Sequence, residues 1–246
     1  MSKMIIEKEI GIKGDYQYKA IRSKIWPQRF WHKNKFEILK QLVIPDTSKT
    51  VLDLGTGSGN FEILFSSNFK QVTGVDYNDE ALGFLRNELR KRNINNTILV
   101  KSDIRNLPLK VTDRKYDYII LVDVIEHVYL RETIKLVQVI HGMLNPGGKI
   151  IIITPNYESL WPIIENISDL LSLLPKFGGK QHLSKFTPKS LSYTLVNQGF
   201  KSISIKTFNL FSFLSPFKNV NKLLLNTELN LLGNFGCLIC ASGTKE

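Results

Sequence analysis

A chain of 246 residues with 43% hydrophobic and 22% charged content has the size of one α/β domain with appendages, or of two small domains, and excludes wholesale disorder. The formal net charge of +11 favours anionic partners, whether nucleic acid, phosphorylated small molecules or an anionic membrane surface; residues 1–50 alone hold eleven Lys and Arg against five Asp and Glu. MSKMIIEKEI lacks the apolar core of a signal peptide and no apolar run approaches the length of a membrane span, so the expected location is cytoplasmic, with peripheral membrane contact left open.

The basic stretch 1–48 contains WPQRFWHKNKFEILKQL, in which Phe30, Trp31, Phe36, Leu39 and Leu42 suit an amphipathic helix laid on the domain. From residue 49 to 155, apolar strand-like runs alternate with helical patterns. TVLDLG is followed by NFEILFSSNF, then QVTGVD by NDEALGFLRNELRKRN, with apolar residues at 81, 82, 85 and 89. TILV and YDYIILVD are the third and fourth strands, LRETIKLVQVIHGML is a helix closed by the turn signal NPGG, and KIIIIT is the fifth strand. Continuous Ile/Leu/Val strands between amphipathic helices predict a parallel sheet covered on both faces, in a doubly wound α/β fold.

Beyond that core, 156–187 reads as a helical insert, LWPIIENISDLLSLLP carrying Leu160, Ile163, Ile164, Ile167, Leu170, Leu171 and Leu174 on one side. Residues 188–246 supply a last helix, the strands FKSISIKTF and FGCLICASG, and a Phe/Leu-rich insert over 209–232, FNLFSFLSPFKNVNKLLLNTELNLL being a third helix candidate. The three cap segments bracket the carboxyl ends of the strands, where such sheets hold ligands, and are read as a substrate cap. Cys237 and Cys240 lack the further ligands of a zinc site, and positions three apart on a strand point to opposite faces; two buried small side chains are expected.

The loop VLDLGTGSGN lacks the Lys-Ser/Thr of a phosphate-binding P-loop, because Asn60 and Phe61 follow Gly59. A dinucleotide fingerprint would need its third glycine at Asn60. What remains is D-x-G-x-G-x-G, met by Asp53, Gly55, Gly57 and Gly59, with Thr56 between. With this loop, VTGVD, SDIRNLPL, YDYIILVDVIEHV and LNPGGKIIIITPN in that order, the chain resembles the class I S-adenosylmethionine-dependent methyltransferases over about residues 50–155. The resemblance implies a seven-stranded, mostly parallel sheet in a single methyltransferase domain over 1–246, and S-adenosyl-L-methionine as cofactor. It makes Asp76, with Tyr77 beside it, the acid that binds the ribose hydroxyls. Asp103 becomes the acceptor for the adenine amino group, with Ile104 beside the ring, and Asp123 lies at the active-site end of strand four.

IEHV resembles the same tract in the ubiquinone-biosynthesis O-methyltransferases. Glu126 and His127, with Asp123, are candidates to position a substrate hydroxyl or take its proton. Glu126 as a helix cap and His127 as a packed ring remain the alternative. D-x-x-E-H is too short a pattern to assign a metal, and none is assigned. His182 falls where the cap rejoins the catalytic face and is a further catalytic candidate; Tyr157 and Trp161 are candidates to touch substrate. Long apolar caps, clustered aromatics and a basic N-terminal region suit a small or lipid-like acceptor, such as a quinone precursor or a polyprenyl-linked glycan, and docking on an anionic membrane. An RNA methyltransferase, a non-catalytic S-adenosylmethionine-binding protein and a dehydrogenase stay open; the first lacks a DPPY-like tract after strand four and any recognisable RNA-binding module.

Overall fold

The computed structural model describes residues 13–170, 182–231 and 233–246. The expected continuation of the second cap helix through Leu171 and Leu174 lies outside the described residues, as do the segment MSKMIIEKEI and the side chains of Ile167 and Leu170.

Among the described residues, two helices precede the sheet: α1, Tyr16–Ala20, and α2, Trp26–Leu42. The core then alternates β1 (Asp46–Leu54), α3 (Asn60–Phe65), β2 (Phe69–Asp76), α4 (Asp79–Lys91), β3 (Thr97–Lys101), α5 (Leu109–Thr112), β4 (Tyr116–Val122), α6 (Leu130–Met143) and β5 (Leu144–Pro155). After it come α7 (Trp161–Leu170), α8 (Pro188–Asn197), β6 (Lys201–Phe208), α9 (Lys218–Leu231) and β7 (Leu238–Thr244).

The seven strands run in the order β3-β2-β1-β4-β5-β7-β6, with β7 antiparallel to both its neighbours and the remaining pairs parallel, as expected. Pleating sorts the side chains. Ile150 and Ile152 of β5 join the core beneath Leu136, Ile140, Leu191 and Leu195, whereas Ile151 and Ile153 join the opposite core with Ile38, Leu39, Phe61 and Leu225. All four isoleucines are fully buried, and each burial contributes about 2 kcal/mol relative to exposure. With helices on both faces, water reaches the sheet only at its edges and strand ends.

Two elements differ from expectation. NPGG is not a turn before β5 but lies within it, as a register shift against β4 between Tyr116 and Tyr118. The third cap segment is not one helix: a short 3₁₀ turn at Ser212–Leu214 is followed by Ser215-Pro216, and α9 starts only at Lys218. Proline has no N–H to donate and restricts the residue before it. Cys237 and Cys240 are free and buried.

The chain winds outward from β1 to β3, then returns to β4 on the other side. The strand order therefore reverses between β1 and β4, and a crevice opens at their carboxyl ends.

Candidate active site

The glycine loop after β1 forms one wall of that crevice. Gly57 has φ +52° and Gly59 φ +76°, a left-handed backbone that favours glycine. A Cβ on Gly59 would run into Leu85, and one on Gly57 would strike the Gln17 side chain. The Gly57 N–H donates to Asp76 Oδ2 and the Asn78 N–H to Asp76 Oδ1, each at 2.8 Å. Both carboxylate oxygens keep a lone pair for a further donor. Burial raises the Asp76 pKa against the pull of these backbone bonds.

Beneath the loop, Asp53 and Glu62 are buried together around Thr56. Burial and the neighbouring Glu62 raise the Asp53 pKa well above its usual range, and burial pushes Glu62 up to about 7. A Cβ on Gly74 would sit 2.7 Å from Glu62 Oε1, so β2 carries glycine where α3 presses this carboxylate against it.

Helix α1 closes the loop from above. The Tyr18 N–H donates to Ser58 Oγ at 2.7 Å, and Asn60 Nδ2 donates to the Gln17 carbonyl at 3.0 Å. Asn60, a misfit in a dinucleotide fingerprint, is thus one of the two loop residues, with Ser58, that tie α1 in place. No part of α1 stood out in the sequence.

Asp123 begins the turn after β4 with φ +55°, and its carboxylate pairs with the Lys35 ammonium from α2. Burial acts to raise the Asp123 pKa, but Lys35 outweighs it and holds the carboxyl below its ordinary value. His32, one turn earlier on α2, has its pKa lowered to about 3 by burial and by Lys35, so it is neutral at pH 7. Gln17, His32, Lys35, Asp53, Thr56 and Asp123 line a single pocket.

Asp103 is engaged by Arg105, two residues on in its own loop. Arg105 grips it with Nε at 3.0 and 2.9 Å from the two carboxylate oxygens and a terminal nitrogen at 2.6 Å. Burial opposes ionisation, yet Arg105 brings the Asp103 pKa below its ordinary value. An adenine amino group there would share the carboxylate with this guanidinium. Ile104 packs against the core beside it, and Tyr77 is half-buried next to Asp76.

The remaining candidates converge on the far side of Asp123. Glu126 and His127 form a 3₁₀ turn, Ile125–His127, and His182 approaches from the segment before α8. One donor atom from each of Glu126, His127 and His182 lies within 4.8 Å of the others. Thr154 Oγ1 donates to Glu126 Oε2 at 2.8 Å, and burial together with Asp123 raises the Glu126 pKa to about 7. His182 Nδ1 lies 2.9 Å from Glu165 Oε1 and 2.5 Å from the Tyr157 hydroxyl, which in turn donates to Glu165 Oε2 at 3.1 Å. Glu165 was not legible as a site residue, because it sits in no motif, and Thr154, inside LNPGGKIIIITPN, was legible only as part of a strand. Trp161 stacks on Trp31 at 5.1 Å between ring centroids, and Phe213 meets Trp31 edge-on at 5.0 Å, an aromatic wall beside His182.

A family model described as "Methyltransferase domain" matches residues 26–205. The ubiquinone biosynthesis O-methyltransferase of Coxiella burnetii (strain RSA 331 / Henzerling II) is 23% identical over 190 residues, 76% of this chain and 76% of that protein. An uncharacterised RNA methyltransferase of Clostridium tetani (strain Massachusetts / E88) is 29% identical over 108 residues, 42% of this chain and 24% of that protein. Among solved structures, phosphoethanolamine N-methyltransferase 2 of Haemonchus contortus in complex with S-adenosyl-L-methionine superposes with a TM-score of 0.65 at 19% identity, covering 95% of this chain and 57% of that one. The chain thus spans little more than half the length of that structural neighbour.

Proposed function

The chain belongs to the methyltransferase-domain family and is an S-adenosylmethionine-dependent methyltransferase, and from that premise we propose that it methylates an oxygen of a small or lipid-like acceptor. When bound, the cofactor supplies an electrophilic methyl group. The residues present fit it: the glycine loop lets a ligand approach the backbone, Asp76 offers two oxygens to ribose hydroxyls, and Asp53, Thr56 and Asp123 line the pocket between.

The observation that carries the acceptor reading is the cluster of Glu126, His127 and His182 set against an aromatic wall. A hydroxyl must lose a proton as it attacks, and a buried carboxyl titrating near neutrality is suited to take it. Asp123 does not share this role, since Lys35 holds it ionised. Trp31, Trp161 and Phe213 exclude water around an apolar acceptor. Leu214, next to Phe213 in the chain, is exposed and its carbonyl accepts from Trp26 Nε1; Trp26, Phe217 and Leu223 are exposed as well, with Lys33, Lys218 and Lys222 nearby in the chain, which supports delivery of the acceptor from an anionic membrane surface.

The test is a transfer assay with labelled cofactor against catechols and phenols bearing apolar tails, phosphoethanolamine, and RNA. Transfer to a phenolic oxygen is expected, falling about 10²- to 10⁴-fold in Glu126→Gln. Transfer to the amine or to RNA with none to any hydroxyl overturns the reading.

A further inference from the structure

We propose that Glu126, His127 and His182 form a binding site for one divalent transition cation of the zinc type. Two imidazoles and one carboxylate are a ligand set that such ions take, and one that oxygen-preferring magnesium and calcium do not. The three donor atoms come from two chain segments far apart in sequence, and they lie within 4.8 Å of one another. Ligands around a zinc ion stand about 3.3 Å apart, so small side-chain rotations close the set around a metal.

The surrounding residues are those a metal site needs. A ligating histidine characteristically donates its other ring nitrogen to a carboxylate, which sets its tautomer. Glu165 Oε1 stands 2.9 Å from His182 Nδ1, and the Tyr157 hydroxyl braces Glu165 Oε2 at 3.1 Å. That leaves His182 Nε2 to coordinate. Thr154 engages Glu126 Oε2, leaving Oε1 for the same purpose. The Ser184 N–H donates to the Glu126 carbonyl at 3.1 Å and Ser184 Oγ donates to the Val128 carbonyl at 2.7 Å, pinning the 182–184 strand of chain to the turn that carries the other two ligands. Asp123, the acid of the D-x-x-E-H pattern, is committed to Lys35.

Three protein ligands leave a coordination position open, beside the aromatic wall. This role rests on the oxygen-acceptor reading above. The acceptor oxygen would bind there and lose its proton to solvent, because the cation lowers its pKa. Its electron pair forms the new bond to the methyl carbon, and the pair of the broken carbon–sulfur bond stays on sulfur as a neutral thioether. With the cation bound, Glu126 acts as a ligand, and the lowered pKa of the coordinated oxygen replaces the proton transfer to Glu126 described above for the metal-free site.

Chelator-treated protein titrated calorimetrically with Zn²⁺ tests the site, with S-adenosylhomocysteine binding as the check on folding. One equivalent is expected per chain. It should be lost in His182→Ala and Glu126→Gln and weakened about 10- to 100-fold in Glu165→Gln. The wild type alone supplies a second readout, nitrogen-15 imidazole spectra, in which Zn²⁺ should shift the ring nitrogens of two of the four histidines. No saturable binding, binding untouched by the variants, or shifts at other histidines overturns the site. Zinc binding without transfer to any hydroxyl keeps the site and sinks the oxygen-acceptor reading; hydroxyl transfer without zinc binding does the reverse.

Discussion

Replacing Lys35 by methionine leaves the Asp123 carboxylate, whose side chain is 24% exposed, without its counter-charge. The expected loss is about 2–3 kcal/mol, below that of a wholly buried orphan because water reaches part of Asp123. The pH dependence has a definite sign. Asp123 is held below its ordinary value of 3.8, so the pair contributes in full above that value and its contribution is lost as pH falls through the lower folded value. Urea midpoints of wild type and Lys35→Met should therefore differ most at neutral pH and converge as the pH falls below 3.8 and through the lower folded value. A gap that widens in acid would contradict the pairing. This contact was not legible beforehand: the partners are 88 residues apart, and nothing local to α2 marks one lysine among its basic neighbours. Glu126, His127 and His182 were legible, the first two through IEHV and the third through its place before the last helix. The Glu165 brace on His182 was not, since its partner becomes a neighbour only when α7 folds back.

The parallel core was readable because strands buried on both faces must be continuously apolar, and helices covering them must be one-sided. A five-residue helix offers no period to read, so α1 leaves no mark in the sequence pattern. Such a helix is not stable in isolation, so its contacts with the glycine loop hold it. Besides the Tyr18–Ser58 and Asn60–Gln17 hydrogen bonds, the Arg22 guanidinium stacks 3.6 Å from the Tyr18 ring centre. The Gln17 side chain fills the space above Gly57, where the backbone is otherwise open to a ligand. Asn60→Ala removes one latch of about 1 kcal/mol, and S-adenosylhomocysteine should leave about fivefold faster in stopped-flow displacement. Amide exchange across 16–20 should quicken with it. An unchanged release rate would show that α1 is not the gate.

At the scale of the whole molecule, charge and apolar surface coincide. Trp26 is 46% exposed, Phe217 69% and Leu223 67%, and Lys33 feels the repulsion of Arg29, Lys218 and Arg22 after the desolvation that dominates its lowered pKa. Among the described residues no helix is long and apolar enough to cross a membrane. Flotation with vesicles containing phosphatidylglycerol should carry the protein upward at low salt, less so as salt screens the lysines, and Phe217→Asp with Leu223→Asp should leave it behind. Equal recovery with uncharged vesicles would remove charge from the account. The sheet order has another consequence, for the nascent chain. β7 follows β6 in sequence yet lies between β5 and β6, so β6 has nothing to pair with until β7 has been synthesised. At ribosomal speeds that is a delay of a few seconds, during which a strand edge is open to other chains. Lys201 opens this strand, Lys206 lies within it and Ser202 and Ser204 interrupt it, the polar punctuation that keeps a waiting edge from pairing with the wrong neighbour.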